Sequence, residues 1–259
     1  MKLPSGMTRR EAIKWGAKLA TIGVLIPSAK GASSPALLSS ARRRNAGPVP
    51  NLAWWKLNEN TGTSTADSTG NGNTGTLTGG ASWVSGPNSS SAVSFSGAQQ
   101  VSVSSSAAYS GSGFISVCAW LKPNVTSRGD IVTRWTTGLG GSQFTLLYGL
   151  TVGKPQFYIS NGTLPTIIGS GEGSTTMSIG VWYHVAGVYD GSNVKVFLNG
   201  VFQSQAAATA MQTTSLTGYI IGNNAAPDGQ LDGAVDDARV YGYALTNAEV
   251  LSIYNAGAK

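Results

Sequence analysis

Short runs of alternating or mostly apolar residues follow one another from residue 51 to the C-terminus, with Gly, Asn and Asp between them. Runs of this kind, bounded by turn residues, are typical of β-strands. No helical pattern of about 10–15 residues alternates with them, which argues against a parallel α/β fold. We predict strands at 52–57, 92–96, 100–104, 114–123, 130–135, 143–152 and 155–160.

The segment "WYHVAGVYDGSNVKVFLNGVFQSQ", residues 182–205, has the clearest strand pattern. A turn at 190–193 and a second turn at Asn199 and Gly200 divide it into three strands. Asn-Gly favours a tight hairpin because both residues accept the positive φ angles of a type I′ turn. About a dozen short strands in one domain predict an all-β fold, a two-sheet antiparallel β-sandwich of the jelly-roll type.

One short helix is predicted at the C-terminal end of the chain. Thr246 and Glu249 have the spacing of a capping box, and Leu245 and Val250 have the spacing of a hydrophobic staple. Gly257 favours the end of the helix. We predict a two-turn helix that covers part of the sandwich with an apolar side formed by Val250, Leu251 and Tyr254.

The first 32 residues have the parts of an export signal. A basic start precedes an apolar run at 19–26, which is too short to span a bilayer, and small residues follow at 29–32. Residues 8–14 resemble the twin-arginine motif, although Ala12 stands where Phe is more usual. The alternatives are a chance Arg-Arg pair in an ordinary secretory signal, or an uncleaved membrane anchor.

This leader predicts the location of the protein and the limits of its domain. We expect an exported protein, either secreted, periplasmic or at the cell surface, with membrane contact only through an uncleaved leader. Residues 33–50 are rich in Ser, Pro and Arg and predict a flexible linker. Residues 51–257 are then the folded domain.

The net charge of +6 is unevenly distributed along the chain. Nine of the 17 basic residues and one of the 11 acidic residues precede Gly47, so the remainder carries a net charge of −2. Nucleic-acid binding requires a basic face on the folded domain. The distribution therefore argues against a nucleic-acid partner.

Cys118 and His184 are the single cysteine and the single histidine of the chain. One cysteine excludes an internal disulfide, and one residue of each kind excludes a zinc site built on several histidines or cysteines. A Ser-His-Asp or Cys-His mechanism would have to use His184. Both residues lie in apolar strand patterns, and we predict a buried thiol and a core histidine with satisfied nitrogens.

Five segments, at 55–77, 92–103, 114–123, 182–200 and 231–250, have the order and spacing of a known family. Together they resemble the laminin-G-like, concanavalin A-like lectin/glucanase superfamily over residues 51–257. The resemblance implies a β-sandwich jelly roll in which the first and last strands are neighbours. It also implies calcium at the edge of the sandwich, as in many members.

The resemblance brings a Gly- and Asn-rich loop next to the start of the last strand. Calcium prefers six to eight oxygen ligands, which carboxylates, amides and backbone carbonyls supply. The alternative is a turn in which Asp67 caps backbone amides. Successive strand residues point to opposite faces, so Asp236 is the expected ligand of its pair and Asp237 is expected to bind a basic group. The predicted calcium ligands are Glu59, Asp67, Asn71, Asn73 and Asp236.

Catalysis is not expected. Glycoside hydrolysis usually needs two carboxyl groups at a defined separation. The glucanases of the superfamily carry these groups in a Glu-x-Asp-x-x-Glu run on one strand, and the pair Asp236 and Asp237 lacks that spacing. We predict that the protein is not an enzyme, with a divergent glycoside hydrolase as the weakest alternative.

Ligand binding is the remaining function. We predict a non-catalytic, lectin-like module that binds carbohydrate and holds structural calcium. The alternative is a structural or adhesive module that contacts an extracellular or cell-surface protein. Sugar sites use exposed aromatic rings together with polar side chains, although most aromatic residues fill the core. The candidate ligand-binding residues are Arg134, Trp135, Tyr148, Tyr158 and Asn161.

Overall fold

The computed structural model describes residues 47–87, 90–104, 113–135, 142–162, 167–211, 218–224 and 229–257, all within one unit, Ala41–Lys259. The predicted export signal and residues 33–46 of the predicted linker lie outside the described residues. The last residues of that linker contact the domain, since Tyr241 donates a hydrogen bond to the carbonyl of Pro48 at 3.1 Å. No helix in the described ranges is long and apolar enough to span a membrane.

The described elements are mostly short strands, as the sequence predicted. In chain order they are β1 (Ala53–Trp55), β2 (Ser64–Thr65), β3 (Gly75–Thr78), β4 (Ser82–Ser85), β5 (Ser91–Phe95), β6 (Gln100–Val103), β7 (Ile115–Pro123), β8 (Gly129–Arg134), β9 (Phe144–Tyr148), β10 (Pro155–Ser160), β11 (Ile167–Glu172), β12 (Tyr183–Tyr189), β13 (Asn193–Leu198), β14 (Val201–Ala207), β15 (Ile220–Ile221), β16 (Gly233–Tyr241) and helix α1 (Asn247–Gly257).

The strands form two antiparallel sheets. The first sheet has the order β14-β13-β12-β7-β16-β5-β4, and β1 also pairs with β16. The second sheet has the order β11-β10-β9-β8-β15-β6-β3-β2. The predicted two-sheet antiparallel sandwich is therefore confirmed. The first and last strands are neighbours, since Ala53 pairs with Val240.

The main core lies between the two sheets. Alternate residues of each strand point inward, as the period of two requires. The sheets approach closely where Gly187 of β12 faces the ring of Phe157 of β10, and a methyl group on Gly187 would overlap that ring. Other fully buried core side chains include Trp55, Phe95, Val117, Leu146 and Ile221.

Strand β16 changes partner halfway along its length. Residues 233–235 pair with β5, whereas residues 238–240 pair with β1. Between the two halves the register with β7 shifts, and Asp237 has a φ of 50°. This combination is a β-bulge, which inserts an extra residue and turns the side chains beside it.

Helix α1 covers part of the outer face of the first sheet. The capping box is confirmed, because the Thr246 N–H donates to Glu249 Oε2 at 2.8 Å and the Glu249 N–H donates to Thr246 Oγ1 at 3.3 Å. The helix has 11 residues, longer than the two turns predicted. Val250 and Ile253 are its buried residues, while Leu251, predicted on the apolar side, is 43% exposed because it lies on a different face.

Cys118 and His184 lie on the outer face of the first sheet. Cys118 is fully buried, as predicted, and burial raises the pKa of its thiol to about 12. His184 is 1% exposed and packs near the rings of Trp120 and Tyr254. The prediction of a satisfied histidine was wrong, since neither ring nitrogen has a hydrogen-bond partner among the described residues.

Strands β2, β3, β4, β11 and β15 were not predicted. Two of them have only two residues, and the others are rich in Gly, Ser and Thr, which weakens the apolar pattern. Strand β9 was predicted to reach residue 152 but ends at Tyr148. The following Gly149 has a φ of 87°, which turns the chain out of the strand.

Candidate functional site

The segment between β1 and β3 carries four of the five predicted calcium ligands. At its centre Asp67 Oδ1 accepts hydrogen bonds from the Trp54 N–H (3.1 Å) and from the N–H and hydroxyl of Thr69 (3.0 and 2.7 Å). Oδ2 accepts two more from the N–H and amide of Asn73 (3.1 and 3.0 Å). Burial raises the pKa of Asp67, but these hydrogen bonds outweigh it and hold the pKa below its ordinary value.

Asn71 and Asn73 tie the same segment to the chain before β1. The amide of Asn71 donates to the carbonyls of Asn51 and Leu52 at 2.9 and 3.0 Å, and the amide of Asn73 donates to Leu52 at 2.9 Å. A carboxylate has about four lone-pair sites, and Asp67 already accepts five hydrogen bonds. Asp67 thus caps amides, as the alternative held, and hydrogen bonds occupy its lone-pair sites.

Glu59 differs from its neighbours in having one unused oxygen. Its Oε1 accepts hydrogen bonds from the Thr65 hydroxyl (3.0 Å) and the Ala66 N–H (2.8 Å). Its Oε2 is buried and has no hydrogen-bond partner among the described residues. A buried carboxylate oxygen without a partner fits a hard cation. In the described part of the chain, however, no three His, Cys, Asp or Glu side chains form a cluster suited to a metal ion.

Asp236 belongs to a separate pocket of about 250 Å³ on the outer face of the first sheet. Its Oδ2 accepts a hydrogen bond from the Ser90 hydroxyl at 3.0 Å, and its Oδ1 accepts one from the Asp237 N–H at 2.8 Å. Burial, and then the charge of Asp237, raise the pKa of Asp236 to about 7. The pocket lining includes Trp54, Lys56, Ser90, Trp120, Asp236 and Asp237.

Asp237 is bound to Arg239, as the sequence predicted for it. The Arg239 guanidinium forms an ion pair with Asp237 at 2.6 Å and lies 4.6 Å from the centre of the Trp54 ring. The Trp54 indole N–H donates to Asp237 Oδ1 at 2.6 Å. The prediction that Asp237 points away from Asp236 was wrong, because the bulge lets both line one pocket.

Two of the five candidate ligand-binding residues lie inside the sandwich. Arg134 is 2% exposed, and its guanidinium lies 5.0 Å from the centre of the Tyr219 ring. Tyr148 is fully buried, and its hydroxyl donates to the carbonyl of Asp232 at 3.2 Å. Tyr148 therefore occupies the core position that was the alternative for the aromatic candidates, and Arg134 is buried in the same core. Neither faces a ligand on the outer surface.

Trp135, Tyr158 and Asn161 lie nearer the surface. Trp135 is half-buried at the end of β8, and Asn161 is exposed just after β10. Tyr158 is half-buried within β10, between the inward-facing Phe157 and Ile159. Its ring therefore points to the outer face of the second sheet.

Tyr158 lies within a set of polar residues on that outer face. Across the sheet Asp130 pairs with Leu147, Leu147 with Gln156, and Gln156 with Glu172. The next row pairs Thr133 with Thr145, Thr145 with Tyr158, and Tyr158 with Ser170. We call this surface the polar face, formed by Asp130, Thr133, Thr145, Gln156, Tyr158, Ser170 and Glu172.

The two carboxylates of the polar face are both bound by basic side chains. Arg128 Nε donates to Asp130 Oδ1 at 3.1 Å, and Lys154 Nζ donates to Glu172 Oε1 at 3.2 Å. Asp130 also accepts a hydrogen bond from the amide of Asn224. Burial raises the pKa of Asp130, and Arg128 opposes the increase. The pKa of Glu172 is lowered, chiefly by a hydrogen bond from Thr151.

Access to the polar face differs between its two ends. Asp130, Thr145 and Gln156 are at most 3% exposed, whereas the side chain of Glu172 is 38% exposed and Tyr158 is half-buried. One buried atom, Gln156 Oε1, has no hydrogen-bond partner among the described residues. A ligand can therefore reach the face at Tyr158 and Glu172.

Sequence reasoning named Tyr158 as a candidate but did not name the polar residues around it. The alternation in "PQFYIS", residues 155–160, places Gln156 on the same face as Tyr158 and could have identified it. Asp130 and Glu172 are far from Tyr158 in sequence, and only the strand register brings them to one face. Trp54 was not among the candidates from the sequence, and it lines the pocket beside Asp236.

Residues 95–251 match a family described as the concanavalin A-like lectin/glucanases superfamily. This chain belongs to that superfamily. The match covers more than half of the chain and agrees with the observed sandwich. Comparison with curated protein sequences gives no match.

Solved structures with the superfamily's sandwich are similar to this chain at low sequence identity. The binding domain of Paraclostridial mosquitocidal protein 1 is 13% identical, with a TM-score of 0.60 over 78% of this chain and 51% of that chain. Domain 4 of AbnA, an extracellular arabinanase from Geobacillus stearothermophilus solved with arabinotriose, is 22% identical, with a TM-score of 0.50 over 78% of this chain and 97% of that chain.

The binding domain of botulinum neurotoxin DC, solved with rat synaptotagmin II, is 12% identical, with a TM-score of 0.59 over 78% of this chain and 51% of that chain. This chain thus spans about half the length of both toxin binding domains. These similarities show the shared fold, and the neighbours are mainly binding domains.

Proposed function

We propose that this domain is a non-catalytic carbohydrate-binding module and that its sugar site is the polar face around Tyr158. The observation that carries the proposal is a half-buried tyrosine surrounded on one sheet face by carboxylate, amide and hydroxyl groups. Aromatic rings stack on the apolar face of a sugar, and polar groups hydrogen bond to its hydroxyls. The arabinotriose complex of the AbnA domain supports the same kind of ligand.

The separation of the two carboxylates supports a non-catalytic role. Asp130 and Glu172 lie on one row but three strand spacings apart. At about 4.8 Å per spacing, their backbones are about 14 Å apart. Acid and base groups of glycoside hydrolases are about 5–10 Å apart. The backbone separation therefore favours a non-catalytic role for this pair.

A second candidate function is contact with another protein at the cell surface. Two neighbouring loops carry four exposed aliphatic residues: Leu150, Val152, Ile179 and Val181. A hydrogen bond from the Met177 N–H to the Gly153 carbonyl at 2.8 Å links the two loops. Exposed apolar groups of this kind can form an interaction surface. The neurotoxin complex with synaptotagmin supports such a partner.

The proposal also includes calcium and export. We propose that calcium binds through Glu59, whose Oε2 is a buried oxygen without a partner among the described residues. Export rests on the sequence pattern of residues 1–32 alone. The resulting protein is a secreted, periplasmic or cell-surface binding module.

A glycan array probed with the full chain tests the proposed function. We expect binding that Tyr158→Ala weakens by about tenfold or more, equivalent to about 1.4 kcal/mol. Tyr158→Phe keeps the stacking ring and should retain most of the affinity. Binding that is the same in wild type and Tyr158→Ala contradicts this site. If the array shows no binding to plant, algal, host or bacterial glycans, the protein-contact alternative is favoured.

A further inference from the structure

We propose that the polar face selects neutral, hydroxyl-rich glycans and rejects anionic ones such as uronates and sulfated sugars. This inference rests on the proposed carbohydrate-binding function. Its basis is the balance of hydrogen-bond donors and acceptors around Tyr158. The accessible charged groups are paired with each other, and the buried unpartnered oxygen of Gln156 is an acceptor.

The basic side chains at the polar face are already bound. Arg128 Nε lies 3.1 Å from the buried carboxylate of Asp130, and Lys154 Nζ lies 3.2 Å from Glu172. An anionic sugar at either cation would have to share it with a carboxylate, which reduces the attraction. Full transfer of Arg128 to the sugar would leave the buried carboxylate of Asp130 without its partner, at a large free-energy cost.

The unpartnered polar atom beside Tyr158 is a hydrogen-bond acceptor. Gln156 donates its amide to Glu172 Oε2 at 2.8 Å, while its own Oε1 is buried and without a partner among the described residues. An amide oxygen can only accept a hydrogen bond. Sugar hydroxyls are donors, whereas carboxylates and sulfates are acceptors only.

The charge of Glu172 reinforces this preference. Its side chain is 38% exposed at the accessible end of the face, and it accepts hydrogen bonds from Thr151 (2.5 Å), Gln156 and Lys154. An anionic group on a sugar stacked at Tyr158 would meet this carboxylate. Repulsion between like charges is a common way in which a site rejects the wrong ligand.

A matched pair of ligands tests the inference. The full chain is titrated with the neutral oligosaccharide that binds best on the array, and with its counterpart in which the primary hydroxyls are oxidised to carboxylates. We expect the neutral form to bind at least tenfold more tightly. Equal or tighter binding of the oxidised form overturns the inference, while the proposed function stands if Tyr158→Ala still removes the binding. An array without any bound glycan overturns both.

A single substitution then tests the cause of the selectivity. Glu172→Gln keeps the shape of the side chain, removes its charge and leaves Lys154 without that carboxylate. The preference for the neutral form should fall several-fold. The matched control is Glu249→Gln, at the exposed capping box of α1. This variant should prefer the neutral oligosaccharide over its oxidised form as strongly as the wild type does. A wild-type preference in Glu172→Gln overturns the proposed cause and with it the inference.

Discussion

Asp236 and Asp237 are consecutive residues of β16, and both line the same pocket. The bulge at Asp237 lies where β16 exchanges β5 for β1 as its partner. Asp237 has Arg239 as an ion-pair partner, whereas the described hydrogen bonds of Asp236 come from Ser90 and the Asp237 N–H. Asp237 is therefore the charged partner of Arg239, whereas folding favours the protonated form of Asp236.

We predict that Asp236 makes the domain less stable as the pH rises from about 4 to about 7. Burial raises the pKa of Asp236 from 3.8 to about 7. A carboxyl with a raised pKa contributes stability that is present below 3.8 and is lost as the pH rises through the folded-state value. The slope is at most about 1.4 kcal/mol per pH unit. Urea unfolding of wild type and Asp236→Asn, with chelator present, measures the difference.

The Asp236→Asn variant should lack this contribution and gain stability relative to wild type at pH 7 and above. Ser90→Ala serves as a control, because it removes a hydrogen bond to Asp236 Oδ2 and leaves the titrating carboxyl in place. A difference between wild type and Asp236→Asn that does not vary with pH would contradict the prediction.

His184 should have the opposite effect over an overlapping range. Burial, with a smaller contribution from Arg239, lowers the pKa of His184 from 6.5 to about 3. The unfolded chain therefore takes up a proton below 6.5 that the folded domain does not, and stability is lost as the pH falls from 6.5 towards 3. In His184→Phe this loss should disappear, and urea unfolding at pH 4–7 measures it.

Phe at this position also removes two buried nitrogens that lack hydrogen-bond partners among the described residues, so the variant should be at least as stable as wild type at pH 7. Between about pH 4 and 6.5 the contributions of Asp236 and His184 oppose each other. The wild-type profile should therefore be flatter than that of either single variant. If the unfolding free energy of His184→Phe falls with pH as steeply as that of the wild type, a group other than His184 causes the loss.

Gly187→Ala should destabilise the sandwich. A methyl group there would overlap the Phe157 ring of the opposite sheet. Overpacking of a core costs about 1–3 kcal/mol. Gly242→Ala is the control, since its methyl group would meet Asn51 and Leu52 at an ordinary 3.4 Å, and the change should be below about 1 kcal/mol. Denaturant midpoints compare the two, and equal midpoints would contradict the observed sheet spacing.

Calcium, if it binds through Glu59, should stabilise the folded domain. A ligand at 100 times its Kd adds about 2.7 kcal/mol. We expect chelator to lower the melting temperature and added calcium to restore it, and we expect Glu59→Gln to lose this response. Glu249→Gln should keep it. The same experiment on Asp236→Ala decides whether Asp236 is a ligand, and a wild-type response in Glu59→Gln would exclude Glu59.

The strand pattern predicted the sandwich because a period of two and Asn-Gly turns are local properties. The hairpin at Asn199 and the capping box at Thr246 were found for the same reason. The side-chain direction of Asp237 was predicted wrongly from the same rule of alternation. A bulge interrupts that alternation, and it arises from the change of partner along β16 rather than from the local residues.

The sequence by itself determined the fold class, the terminal helix, the burial of Cys118 and the candidacy of Tyr158. The tertiary structure decided which residues surround Tyr158, since Asp130, Gln156 and Glu172 share a face only through the registers of four strands. Burial also depends on how the whole chain packs. Only the tertiary structure shows that Arg134 lies in the core and that burial raises the pKa of Asp236.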